Sequence, residues 1–186
     1  MVKYIGGEAV EIRAKCRYDF DSIKALTHLS AYKKSDPKKA MQLRAGLCSV
    51  LLFAIIAEHI TIGLHLLAII LISAVLIVLL LDLFMYFVLP KIQFKALAKM
   101  RAVENDYLFC DNVLKITTKS EEYNGEAEIE YSLLVKVYET SKYFFIYQTG
   151  NQVLLVDKST VVGGSVDDIR NKLSSFVKNK YYICKY

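Results

Sequence analysis

An apolar stretch from residue 45 to residue 89 limits what this chain can fold into, because it contains no Lys or Arg. About 20 apolar residues suffice for a helix to cross a bilayer, so this run is too long for one crossing. Polar residues at positions 58–65 mark a break within it. The sequence therefore predicts a transmembrane hairpin, with one helix over residues 37–62 and a second over residues 63–89. The ionisable residues of the stretch are Glu58, His59, His65 and Asp82.

Basic residues flank the hairpin on both sides and are missing from its turn. Under the positive-inside rule, this pattern predicts a multi-pass protein of the cell membrane with both termini in the cytosol. Each Lys or Arg side chain close to an anionic leaflet contributes about 1 kcal/mol of attraction, so these residues are expected at the membrane surface. They are Lys33, Lys34, Lys38, Lys39 and Arg44 before the hairpin, and Lys91, Lys95, Lys99 and Arg101 after it.

The polar residues of the hairpin have structural interpretations. Folding the chain near residue 62 places Asp82 level with residues 39–44, so we expect it at the inner interface, paired with Arg44. An ion or proton relay is the alternative role for this carboxylate. Glu58, His59 and His65 of the turn are suitable metal ligands, but structural metal sites usually need four organised ligands. A turn at the boundary with water needs polar residues even without a metal. No metal and no cofactor is predicted.

Alternation of apolar and polar side chains predicts a strand at residues 9–18 and six strands after residue 104. A single strand cannot bury its apolar face alone, so the first is expected to pair with strands beyond the membrane segment. A short amphipathic helix with Asp21 as its N-cap follows it, either docked on the domain or lying at the membrane surface. Ser165 and Asp168 form a capping-box pattern that starts a C-terminal helix.

Together these elements predict an α+β membrane protein. Its two-helix transmembrane hairpin is inserted after the first strand of a PH-like antiparallel β-barrel, which a C-terminal helix closes. In chain order, the predicted parts are a cytosolic N-terminal strand and amphipathic helix (1–36), transmembrane helices (37–62 and 63–89), a basic helical stalk (90–103), the cytosolic PH-like domain (104–180) and a tail (181–186).

Four short segments of the soluble part carry a family resemblance: residues 112–116 (Asn-Val-Leu-Lys-Ile), 129–132 (Ile-Glu-Tyr-Ser), 135–140 (Val-Lys-Val-Tyr-Glu-Thr) and 154–158 (Leu-Leu-Val-Asp-Lys). With them the chain resembles the YcxB-like family of bacterial membrane proteins. The resemblance implies an N-terminal strand, a two-helix membrane hairpin and a C-terminal PH-like domain. It implies no catalytic residues, because the shared segments mark strands and turns.

The soluble part lacks the signatures of common enzymes. It contains no His, no G-x-S-x-G sequence and no phosphate-binding loop, so we expect no enzymatic activity. The four cysteines are scattered, which is typical of reduced thiols rather than of disulfides or a zinc site. The basic charge follows the membrane flanks rather than forming a separate patch, which argues against nucleic acid as a partner.

Two functions remain open from the sequence. The first is an uncharacterised membrane protein whose hairpin anchors a PH-like interaction module, with a protein partner or lipid headgroups as its ligand. Its aromatic-rich strands form either the core or, if exposed, a binding face. The alternative is a transporter or ion-conducting protein that uses the polar residues of the hairpin. Two helices cannot enclose a pore, so this alternative requires an oligomer.

Overall fold

A computed structural model describes residues 4–5, 8–9, 11–32, 35–62, 65–97, 103–120, 124–150 and 152–184. The fold is α+β, with two long apolar helices near the N-terminus and a strand-rich domain after them. The helices are α1 (Phe20–Tyr32), α2 (Pro37–Ile62), α3 (His65–Leu83), α4 (Leu89–Ala96) and α5 (Val166–Val177).

Two helical segments are long and apolar enough to cross a membrane. They comprise 24 residues at Pro37–Ile60 and 29 residues at Ala68–Ala96. Large apolar side chains on both are exposed, for example Phe53 at 76% and Ile69 at 62%. The start of α2 is the predicted one, since the Asp36 carboxylate accepts a hydrogen bond from the Lys38 amide at 2.9 Å.

Helix α3 continues into α4 through a single wider turn at Phe84–Val88, in which the Leu89 amide bonds the carbonyl five residues earlier. The sequence predicts a kink or a restart at Pro90, because proline cannot donate the next helical hydrogen bond. The structure places Pro90 in the first turn of α4, where a missing donor is tolerated. A new α-helix therefore starts at the proline, which confirms the predicted restart, and the wider turn joins it to α3 without a break in the helical rod.

In the described part of the chain, the strands form two four-stranded sheets and one small hairpin. The hairpin pairs β1 (Tyr4–Ile5) with β2 (Glu8–Ala9). The first sheet has the order β3-β4-β5-β6 and the second has the order β10-β7-β8-β9. Their strands are β3 (Ile12–Arg17), β4 (Glu104–Phe109), β5 (Val113–Lys119), β6 (Asn124–Glu130), β7 (Lys136–Glu139), β8 (Tyr143–Tyr147), β9 (Val153–Asp157) and β10 (Tyr181–Ile183).

The helical hairpin interrupts one sheet between adjacent strands. Strand β3 pairs antiparallel with β4 from Ile12–Phe109 to Arg17–Glu104, although α1 to α4 separate the two in sequence. The predicted pairing of the N-terminal strand with strands after the apolar helices is thus confirmed. Both ends of the helical region leave the sheet from neighbouring strands.

The two sheets do not close into the antiparallel barrel that the sequence predicts. They are bridged where Arg13 exchanges backbone hydrogen bonds of 2.9 Å with Val162. Gly163 follows with a φ of 75°, and a Cβ there would collide with the Glu11 carbonyl, so the crossing requires glycine. Strand β10 pairs parallel with β7, because α5 carries the chain back across the domain before β10 begins.

The aromatic strands supply the core. Phe144 and Phe145 are completely buried, which is possible for neighbours in a strand because β8 is central in its sheet and covered on both faces. Tyr131 and Tyr143 are also buried. Most of the aromatic cluster is therefore core rather than a binding face. The C-terminal helix begins as predicted, with the reciprocal capping box of Ser165 and Asp168.

Candidate functional site at the base of the helical hairpin

Helix α1 packs across the junction between the apolar helices and the sheets. Its Thr27 hydroxyl contacts the Gln93 side chain of α4, and the rings of Phe20 and Phe94 lie edge to face at 5.5 Å. Ile23 and Leu29 of α1 belong to the core cluster that includes the strand domain, so the helix docks on the domain, which is one of the two positions left open by the sequence. The predicted N-cap is wrong by two positions: the Asp19 carboxylate, not that of Asp21, accepts from the Ser22 amide.

His28 of α1 bonds the carbonyl that Pro90 leaves without its helical donor. In an α-helix, the amide of residue 90 would bond the carbonyl of Tyr86, but proline has no amide hydrogen. The His28 Nε2 lies 3.2 Å from the Tyr86 carbonyl oxygen and so donates to it. The two rings also stack with centroids 4.7 Å apart. A side chain of α1 thereby contributes a hydrogen-bond donor to the backbone of the rod.

The surroundings of His28 favour its neutral form. Burial lowers its pKa, the bond to the Tyr86 carbonyl opposes this change, and Lys24 on the same helix adds to the lowering. The other titratable groups around the ring are the phenols of Tyr32 and Tyr86. The unfolded chain therefore binds a proton more readily than the folded one. Docking of α1 is strongest above pH 6.5 and weakens as the pH falls below that value.

We expect His28→Ala to destabilise the folded protein by about 2 kcal/mol, because the buried Tyr86 carbonyl loses the imidazole donor and the stacked ring is lost. His28→Gln provides the matched control, since its amide can still donate but does not titrate. Unfolding of the full-length protein in detergent at pH 8 and pH 5 measures both effects. Equal loss of stability on acidification in the wild-type chain and in His28→Gln would contradict the role of this histidine.

An ion pair joins α2 to α3 beside this contact. Arg44 Nη1 lies 2.5 Å from Asp82 Oδ1, and only 7% of Asp82 is exposed. The Arg44 guanidinium also lies 5.7 Å from the centre of the Tyr32 ring. The pairing predicted from hairpin geometry is confirmed. It fixes the register of the hairpin at the end where α1 packs.

Two polar atoms of this cluster lack partners among the described residues. They are the Tyr32 hydroxyl and the second carboxylate oxygen of Asp82, and both are buried. Burial raises the pKa of Tyr32, and the negative charge of Asp82 raises it further. The charge of the buried Asp82 carboxylate thus favours the protonated form of the Tyr32 phenol. A water molecule or a polar group of a ligand can satisfy both atoms.

The predicted basic residues gather at the same end of the molecule where the structure describes them. Lys38 and Lys39 lie in the first turn of α2, and Lys91 and Lys95 lie on α4; all four are exposed. Since Arg44 meets Asp82, these two stretches flank the same end of the hairpin. Lys33, Lys34, Lys99 and Arg101 lie outside the described residues.

The polar residues of the opposite end are remote from this cluster. Glu58 and His59 lie near the end of α2, about 21 Å along the helix axis from Arg44 at 1.5 Å per residue. His65 begins α3, and its side chain lies outside the description. The hairpin therefore places its predicted polar residues in two separate groups.

A second buried charge, which the sequence analysis missed, lies in the strand domain. Glu139 is 2% exposed and accepts hydrogen bonds from Lys158 Nζ at 2.6 Å, Arg170 Nη2 at 2.6 Å and the Tyr181 hydroxyl at 2.5 Å. Burial alone would raise the pKa of Glu139, but these donors hold it at about 2. The available signal is its alternation with Val137, which places the charge on the inward face of β7.

Comparison with known proteins finds a family match within the strand domain. The family model described as YcxB-like protein matches residues 115–173, which extend from β5 into α5. Neither the curated proteins nor the solved structures contain a match to the chain. The resemblance indicated by the short strand segments is confirmed over the matched residues.

Proposed function

We propose, from the premise that residues 115–173 form a YcxB-like family domain, that this chain holds a cytosolic interaction module against the inner face of the cell membrane. In this proposal α2 and α3 span the bilayer as a hairpin and both termini are cytosolic. The strand domain binds a protein partner and catalyses no reaction.

The observation that carries this proposal is the pairing of β3 with β4 across the helical hairpin. Two adjacent strands of one sheet lead directly into the helical region, so the domain has two connections to the membrane segment. A double connection restrains both the distance and the orientation of the domain. This arrangement suits a module that presents a surface at the membrane rather than one on a flexible tether.

Exposed apolar surface supports the membrane assignment. Soluble monomers rarely expose contiguous apolar patches larger than a few hundred Å². Along α2 and α3, most large apolar side chains are exposed; the exposed fraction is 76% for Phe53 and 77% for Ile60. Lipid chains would cover such a surface without any further partner. The basic residues of α2 and α4 would then contact the lipid headgroups.

The PH-like assignment of the module rests on its order of elements. Strands β3 to β9 run as successive antiparallel pairs in two sheets, and α5 follows them. Val162, just after β9, bridges back to β3, which brings the two sheets together at one corner. This order of strands and helix supports the proposal of a PH-like module whose barrel is open rather than closed.

The proposed topology predicts which positions are reachable from outside the cell. In a chain whose four cysteines are replaced by alanine, we expect Thr61→Cys at the C-terminal end of α2 to react with a membrane-impermeant thiol reagent in intact cells. Ser159→Cys, on an exposed turn of the strand domain, should react only after the membrane is opened. Labelling of Ser159→Cys in intact cells would refute the cytosolic placement of the domain.

Crosslinking in native membranes tests the proposed interaction. The full-length chain should capture a protein through its strand domain in intact membranes. A chain crosslinked only to copies of itself through α2 and α3 would favour the oligomeric transporter instead.

A further inference from the structure

Strand β10 covers the edge of the second sheet with only three residues. It pairs parallel with β7, in the register Tyr181–Val137, Tyr182–Tyr138 and Ile183–Glu139. The Cys184 amide adds a hydrogen bond of 2.7 Å to the Glu139 carbonyl. Without β10, β7 would present a free row of backbone groups that can pair with another chain.

Three side chains of this C-terminal segment occupy distinct places. The Tyr181 hydroxyl donates to Glu139 Oε2 at 2.5 Å, and the Tyr182 ring stacks on Tyr138 with centroids 5.0 Å apart. Cys184 is 2% exposed and belongs to the core. Ile183 is 62% exposed. The edge of β7 therefore accepts a tyrosine at position 181 and an aromatic ring at position 182. It also accepts a small apolar side chain at position 184, three residues after the tyrosine.

Two features of β10 indicate that another segment can displace it from β7. The chain enters it through Lys178, whose φ of 47° is unfavourable for a residue with a side chain. Glu139 remains paired with Lys158 and Arg170 if Tyr181 leaves, so release of the strand does not leave a buried charge alone. A segment that supplies the same groups can take its place at little cost to the domain.

We propose that the edge of β7 is a peptide-docking site, which β10 occupies in the resting protein. Its ligand is an extended segment of a partner protein that carries tyrosine followed, three residues later, by a small apolar residue. Backbone pairing with β7 provides affinity, as in other cases of strand addition. Glu139 provides specificity, because it accepts a hydrogen bond from the tyrosine hydroxyl. This inference rests on the proposed function, since it names the surface through which the module binds its partner.

The chain itself provides the probe, a fluorescent peptide with the sequence of residues 178–184 and Cys184→Ala to prevent disulfides. The full-length protein in detergent should bind it weakly, because its own β10 competes at high effective concentration. Tyr181→Phe in the protein removes the hydroxyl bond to Glu139, and we expect it to bind the peptide about ten-fold more tightly. Circular dichroism checks that this variant stays folded.

Two peptide controls test recognition. A peptide with phenylalanine at the position of Tyr181 should bind the Tyr181→Phe protein about ten-fold more weakly than the tyrosine peptide. Methylation of the backbone nitrogen at the position of Cys184 should abolish binding. Equal affinity of wild-type and Tyr181→Phe proteins, or of the two peptides, overturns the proposal. Dimerisation of the Tyr181→Phe protein without peptide also overturns it, because a second copy would then occupy the edge. Thiol labelling of the membrane topology is independent of all these outcomes.

Discussion

Replacing Glu139 with glutamine should destabilise the strand domain by about 4 kcal/mol, the largest effect we expect for a single substitution outside the hairpin. The change leaves the ammonium of Lys158, whose side chain is 12% exposed, and the guanidinium of Arg170 without their common counter-charge. It also weakens the acceptor of the Tyr181 hydroxyl. Urea unfolding of the full-length protein in detergent, followed by the near-ultraviolet circular dichroism of its tyrosines, measures the loss.

Glu128→Gln is the matched control. Glu128 also lies on a strand and pairs with Lys115 at 2.9 Å, but its side chain is 60% exposed. Exposed ion pairs contribute between about 0 and 1 kcal/mol, so this control should unfold nearly as the wild type does. A similar loss of stability in the two variants would show that burial does not set the contribution of Glu139.

Acid should reproduce part of the effect of Glu139→Gln. The pKa of Glu139 is about 2 in the folded protein, against an ordinary value of 4.5. The unfolded chain therefore takes up this proton first, and the stabilisation is complete above pH 4.5. It is lost as the pH falls from 4.5 towards 2. The Glu139→Gln protein should show a shallower loss of stability over that interval.

Local features of the structure could be predicted from sequence, because neighbouring residues determine them. Alternation and turn residues predict strands at residues 113–119 and 153–157, which are the bounds of β5 and β9. The Asp36 and Ser165 caps need only residues of the next turn. The insertion of the hairpin into a sheet was also predictable, since the N-terminal strand has no other strand able to cover its apolar face.

Contacts between distant segments could not be predicted in the same way. His28 bonds the Tyr86 carbonyl across 58 positions, and nothing near His28 in the sequence indicates a missing donor in another helix. The pairing of β10 depends on where α5 ends in space, so a three-residue strand gives no periodic signal of its own. The Arg44–Asp82 pair was the exception, because the geometry of a hairpin fixes which positions lie level.

Replacing Arg44 with alanine should destabilise the hairpin by about 3 kcal/mol. Asp82 would keep its burial but lose its only hydrogen-bond donor among the described residues. The Arg44 side chain is 49% exposed, so solvent screens part of the attraction, and the expected loss lies at the lower end of the range for buried pairs. Arg44→Lys preserves the charge and should lose less than half as much. Unfolding of the purified protein by SDS in mixed micelles measures each variant.

The double variant Arg44→Ala with Asp82→Ala distinguishes the pair from its parts. Removing both partners eliminates the buried unpaired carboxylate, so the double variant should be more stable than the sum of the two single losses predicts, by at least about 1 kcal/mol. If the losses simply add, the two side chains do not depend on each other, and the ion pair does not hold α2 and α3 in register. If they couple as expected, the ion pair holds α2 and α3 in register at the end of the hairpin where the Tyr32 ring of α1 lies 5.7 Å from the Arg44 guanidinium.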